Sequence, residues 1–152
     1  MTPPELRFAF EVAADVQPAL DLGQTQAGHR RIVRIESGLV SGPRLQGRVV
    51  PGGADWQILR PDGTADLDAR YAIQADDGAL IYVVNRGVRH GPADVLARLN
   101  GGERVDPALY YFRSAATFET SAPQHLWLTC AVMVGVGERY PDKVVIRFWE
   151  LL

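Results

Sequence analysis

The side chains best suited to chemistry crowd into the stretch Pro51–Tyr71, PGGADWQILRPDGTADLDARY. Asp55, Asp68 and Arg70 stand there beside Trp56 and Tyr71. A carboxyl taken out of water holds its proton more tightly and becomes a working acid or base near neutrality. Asp55 or Asp68 is therefore the candidate proton mover. A guanidinium can hold an enolate or carboxylate oxygen, which makes Arg70 a candidate, and Arg113 a second. Arg113 is flanked by Tyr110, Tyr111 and Phe112, the setting of a guanidinium among rings rather than on an open surface.

Further groups extend the set. Tyr82 lies in the otherwise apolar run ALIYVVNR, where a hydroxyl needs a partner. Asn85 stands at that run's exit, and Thr129 shares a face with Trp127. The expected catalytic residues are Asp55, Arg70 and Arg113. The expected ligand-binding residues are Trp56, Asp68, Tyr82, Asn85, Tyr111, Trp127 and Thr129. Aromatic walls with a few fixed polar groups are the usual form of a small-molecule site. A plainer reading stands beside this one. Asp68 and Arg70 can form a surface ladder of ion pairs worth little energetically, and Trp56 and Trp127 can belong to the core.

Other chemistries fit poorly. His29, His90 and His125 lie far apart without metal-ligand spacing, so no metal site is expected. His90 and His125 read as exposed loop-edge residues. Ser37, Ser41, Ser114 and Ser121 lack the context of a nucleophile elbow. Gly52-Gly53 has no following lysine and helix, and Gly135-Val136-Gly137 opens no helix, so neither phosphate-binding pattern is met. No cofactor is expected.

The elements that must position these groups are strands. Leu6–Val16 alternates apolar and polar residues with period two. His29–Glu36, Leu45–Val50, Ala54–Leu59, Ala65–Ala75, Ala79–Arg86, Tyr110–Glu119, Leu126–Val136 and Lys143–Leu152 read as further strands. Ala54–Leu59 carries Trp56 and Ile58 on one face, Asp55 and Gln57 on the other. Asp21–Gly28 reads as a polar connection, and Pro51-Gly52-Gly53 as a sharp bend. Asp62-Gly63 and Asp77-Gly78 are hairpin turns. Pro92–Leu99 is the one helical segment, opened by proline, stopped by Asn100-Gly101-Gly102, and read as a cap over an open end. About nine short strands predict an all-β fold, a closed antiparallel barrel of eight to ten strands with one short helix.

At 152 residues and 47% apolar composition, one domain spanning 1–152 with a real core is expected. A net charge of -2 gives no general attraction to nucleic acid or anionic membrane. The first residues do not resemble a signal peptide, and no apolar run approaches the roughly 18 residues of a membrane span. The lone Cys130 excludes an internal disulfide and reads as a small buried hydrophobe; a cytoplasmic location is expected. Exposed strands and aromatics are compatible with a homodimer.

Several blocks carry a family resemblance. GRVVPGGADWQILRPDG at Gly47–Gly63, LDARY at Leu67–Tyr71, DDGALIYVVNRG at Asp76–Gly87, YYFRSAATFET at Tyr110–Thr120 and the closing LWLT…VGVGER resemble the domain-of-unknown-function family 3237. The resemblance runs from about His29 to the C-terminus. It implies a compact calycin- or cyclase-like β-barrel, in a family whose members mostly have no assigned activity. Some fungal relatives are implicated in ring closure in natural-product pathways. The motif residues it carries onto this chain are Asp55, Trp56, Arg70, Tyr71, Tyr82, Asn85, Tyr111, Arg113, Glu119 and Trp127. One departure is Thr129, where the family often has Asn, a side chain that both donates and accepts over a longer reach.

Three functions compete. The first is a cofactor-independent isomerase or cyclase acting on an aromatic or polyketide-like molecule. The second is a non-catalytic carrier barrel for a small apolar acid, its carboxylate on an arginine. The third is a structural subunit with a fully packed interior.

Overall fold

Alternating side chains and two Asp-Gly turns build an antiparallel meander. In both turns the glycine takes the left-handed conformation that L side chains resist, Gly63 at φ 86° and Gly78 at φ 88°. The preceding aspartates lock them: Asp62 Oδ1 accepts the Thr64 N–H at 2.9 Å and Asp77 Oδ1 accepts the Ala79 N–H at 3.0 Å.

A computed structural model describes residues 1–152. Its strands are β1 (Leu6–Val16), β2 (Leu20–Thr25), β3 (Gly28–Ser41), β4 (Gly47–Leu59), β5 (Ala65–Ala75), β6 (Leu80–His90), β7 (Tyr111–Glu119), β8 (Met133–Arg139) and β9 (Lys143–Leu151). Between β6 and β7 lies the helix α1 (Ala93–Asn100), and short 3-10 turns cover Pro107–Leu109 and Pro123–Thr129. The order in the sheet is β1-β9-β8-β7-β6-β5-β4-β3-β2, and β1 also pairs with β3. That extra pairing closes eight antiparallel strands into a barrel, with β2 left as a flap on β3. The expected all-β antiparallel barrel is the observed fold. No helix is long and apolar enough to cross a membrane.

Three segments differ from the sequence expectation. Pro51-Gly52-Gly53 does not end a strand; it is a bulge inside β4. Val50 faces Ala72 and Ala54 faces Arg70, so β4 carries two extra residues there. Gly52 sits at φ 117°, and a Cβ on Gly53 would lie 2.5 Å from both the Arg70 carbonyl and Tyr71 Cβ. Because the insertion is even, Val49, Asp55 and Gln57 all stay on the inner face.

Asp21–Gly28 is mostly strand, since the edge of β3 offers it partners. Its polar residues suit a solvent-facing flap, where Asp21 Oδ1 accepts the Gly23 N–H at 2.8 Å and meets His29 Nε2 at 2.6 Å. Leu126–Val136 divides into a 3-10 turn to Thr129 and a strand from Met133. Within that turn only Leu128 is buried, and Cys130 is exposed after it. His125, expected at an open edge, is mostly covered and held by Asp77 at 2.7 Å.

The barrel interior divides lengthwise. At one end Phe10, Phe118 and Phe148 meet with ring centroids 5.2–6.0 Å apart, over Ile73, Ile81, Leu128 and Met133. At the other end α1 buries Val95, Leu96 and Leu99, with Leu96 against Gly63. Arg31 of β3 donates to Asn100 Oδ1 at 3.2 Å, tying the helix end across to the wall. Between the aromatic plug and this cap the inner face turns polar.

Candidate functional site

The polar interior follows from register. Val33, Asp55, Ala69, Asn85, Ala116 and Met133 are successive partners across β3, β4, β5, β6, β7 and β8. Asp55 and Asn85 therefore flank Ala69, and alanine leaves the space between them open. Two residues along, Leu67, Gly87, Ser114 and Gly135 form the next row; then come Ala65, Arg89 and Phe112. Small residues between the polar ones leave a cavity of about 50 Å³. Asp55, Gln57, Tyr71, Asn85, Arg89 and Ser114 line it, with Phe112 and aliphatic side chains such as Val33 and Ile146. At about 10–15 Å³ per water, it accommodates a few waters or the reacting end of an organic molecule.

Asp55 is tightly held. Its Oδ2 accepts Gln57 Nε2 at 2.8 Å and its Oδ1 accepts the Asp68 backbone N–H at 2.9 Å. The β4–β5 ladder has no partner pair at Trp56 and Gln57, and the carboxylate takes the backbone donor left there. Burial raises the Asp55 pKa above its ordinary value; the Gln57 amide, the Asp68 N–H and the charge of Arg89 act in the opposite direction.

Three other polar atoms of the lining lack partners. Gln57 Oε1, Asn85 Oδ1 and Ser114 Oγ are buried with no hydrogen bond. Such groups cost free energy unless something satisfies them. Arg89 is only 4% exposed and makes no ion pair; Asp55 acts on it through space alone. Burial lowers its pKa to about 10, and the charges of Arg139 and Arg31 push the same way. Its guanidinium sits 5.7 Å from the centre of the Phe112 ring. Burial alone pushes the Tyr71 phenol upward, so it stays a neutral hydroxyl.

Of the residues expected from sequence, Asp55 and Asn85 meet in this cavity and the other eight stand elsewhere. Trp56 (45% exposed), Arg70, Tyr82 and Asp68 are on the outer wall. Asp68 pairs there with Arg70 at 3.0 Å and Arg86 at 3.6 Å. Those guanidiniums hold its carboxyl below the usual range, opposite to the expected rise. Tyr111 and Arg113 also point outward, 5.0 Å apart, with the Arg113 guanidinium donating to the Phe112 carbonyl at 3.0 Å. Trp127 and Thr129 lie in the 3-10 turn at the far end. Trp127 lies beneath the Arg44 guanidinium at 3.6 Å, and Thr129 Oγ1 donates to the Leu126 carbonyl at 2.8 Å.

Gln57, Arg89 and Ser114 were missed. Gln57 shares its face with Asp55 two residues away, a signal the alternation already carried. Arg89 shares a face with Asn85 but lies beyond Arg86, where the expected strand stopped; β6 continues to His90.

A family model described as a protein of unknown function, DUF3237, matches residues 4–151. The UPF0311 protein RPA1785 of Rhodopseudomonas palustris is 42% identical across 100% of both chains. Its crystal structure superposes with a TM-score of 0.94. A β-barrel-like protein from Acinetobacter baumannii, 40% identical, covers 100% of this chain and 98% of its own, with a TM-score of 0.87. The hydroalkoxylation enzyme phnH of Penicillium herquei is 27% identical over 99% of this chain and 85% of that protein.

Proposed function

We propose, from the premise that the chain belongs to the DUF3237 family, that its barrel is a small enzyme that moves a proton within one bound molecule. The reaction class is isomerisation or cyclisation of an aromatic or polyketide-like substrate. The observation that carries this reading is Asp55: a carboxyl with a raised pKa, held by two donors, at the wall of a cavity with three unpartnered polar atoms. A fully packed structural shell would have no such cavity.

The Penicillium relative's name supplies a reaction of the right kind. Hydroalkoxylation adds an O–H bond across an alkene. The substrate oxygen bonds to one alkene carbon, its proton leaves, and a proton is delivered to the other carbon, so composition is unchanged. In this reading Asp55 takes the first proton and returns one, while Arg89 steadies the oxygen as it loses its own. Arg89 takes the role that sequence reading gave to Arg70 and Arg113.

A panel of ortho-alkenylphenols, beginning with 2-allylphenol, tests this by NMR detection of the cyclic ether. The wild-type protein should accelerate closure and Asp55→Asn should not. Equal rates in the two proteins, or no turnover of any member, would overturn the hydroalkoxylation reading.

A further inference from the structure

We infer that the cavity is a receptor for a small hydroxylated organic anion, its acidic group held by Arg89 and its hydroxyl by the free carbonyl of Gln57. This deepens the site described under the proposed function and rests on the same cavity.

The argument is one of unmatched groups. Arg89 is 4% exposed, lines the cavity and pairs with no carboxylate. A buried cation without a partner is costly to keep charged, so a site that keeps one is built for an anion. Asp55 does not fill that role, because its carboxylate is committed to Gln57 and to the Asp68 N–H. Arg139 also lines the cavity, and Arg31 lies near enough for its charge to act on both Arg89 and Arg139. Two cations, Arg89 and Arg139, thus line a cavity walled by one acid, Asp55; Arg31 adds positive charge nearby, and Asp142, outside the lining, acts on Arg139.

Gln57 sets the second requirement. Its amide nitrogen donates to the Asp55 carboxylate, which can only accept, so the orientation of the group is fixed. Its carbonyl then faces the cavity unpaired and accepts only from a donor. Ser114 Oγ, also unpaired, adds a hydroxyl that can give or accept. Aliphatic walls and the Phe112 ring cover the rest. A carboxylate or phenolate that also bears an O–H satisfies every one of these groups; a phosphate, with no apolar body, leaves the walls unmatched.

The probes are glycolate, acetate and glycolamide, sized to a cavity of about 50 Å³. Calorimetric titration should show glycolate binding about tenfold or more tightly than its neutral amide. Arg89→Met should lose the preference for acid over amide, and Arg89→Lys should keep part of it. Gln57→Leu should lose the preference for glycolate over acetate. Equal binding of acid and amide, unchanged acid binding in a folded Arg89→Met, or no binding by either acid would overturn the receptor. Binding without turnover counts against the enzyme alone, and turnover of neutral substrates with no preference for acids counts against the receptor alone.

Discussion

Gln57 gives its amide hydrogen to Asp55 at 2.8 Å and keeps its own carbonyl, buried and unpaired, for the cavity. One side chain thus steadies the acid and leaves an unpaired acceptor at the cavity wall. The linkage makes the protonation of Asp55 sensitive to what Gln57 does.

Asp55→Asn should abolish turnover while stabilising the fold. General acid–base groups contribute about 100- to 10,000-fold. The native pKa of Asp55 is raised above 3.8, so the folded chain binds this proton more tightly than the unfolded one. The group's contribution is therefore most favourable below pH 3.8 and declines as pH rises from there through the native pKa. Asparagine does not titrate. Urea unfolding should show the variant's advantage growing between about pH 4 and pH 7, to on the order of 1 kcal/mol or about 2–4 °C in Tm. A variant less stable at pH 7 than at pH 4, relative to wild type, contradicts this.

Gln57→Leu removes a hydrogen bond that lowers the Asp55 pKa. Activity that needs the ionised carboxylate should then fall off at a higher pH than in wild type. A rate–pH profile records it; an unmoved acid limb would mean that Gln57 does not tune the group.

Arg70→Ala, Arg113→Ala and Tyr82→Phe should leave turnover and anion binding within about twofold and stability within about 0.5 kcal/mol. All three side chains point away from the cavity. A tenfold loss in any of them would return these residues to the site.

Gly135→Ala should damage both fold and site. The new Cβ would stand 2.4 Å from Ser114 Oγ and 3.0 Å from Ile146 Cγ2. Overpacking of this kind costs about 1–3 kcal/mol, seen as a lower Tm. The serine must also shift, so acid binding should weaken beyond the loss of folded protein.

The fold was more legible than the site because the two depend on different features of the pattern. Alternation and Asp-Gly turns show that strands exist and where chains reverse, whichever face is inside. A site depends on the face. In β6 both faces are apolar, Ile81 and Val83 on one, Leu80 and Val84 on the other, so nothing local showed that Tyr82 points out and Asn85 in. In β7 each face carries an aromatic, and closure turned Phe112 inward and Tyr111 outward. The inward turn of Asp55 is legible because its strand is uneven, with charge and amide opposite indole and isoleucine. Leu126–Val136 failed for a different reason: hydrophobicity fits a strand and a helical turn alike, and Pro123 favoured the turn.

The Pro51–Gly53 insertion also gives a rule for sorting relatives by length. Adding or removing a pair of residues at that point keeps the acid indoors; a change by one or three turns it to the outer wall unless a bulge absorbs the odd residue, as β3 does between Ile35 and Gly38. Counting residues between the equivalents of Val49 and Asp55 therefore sorts chains that share this shell by the face on which they carry that carboxyl.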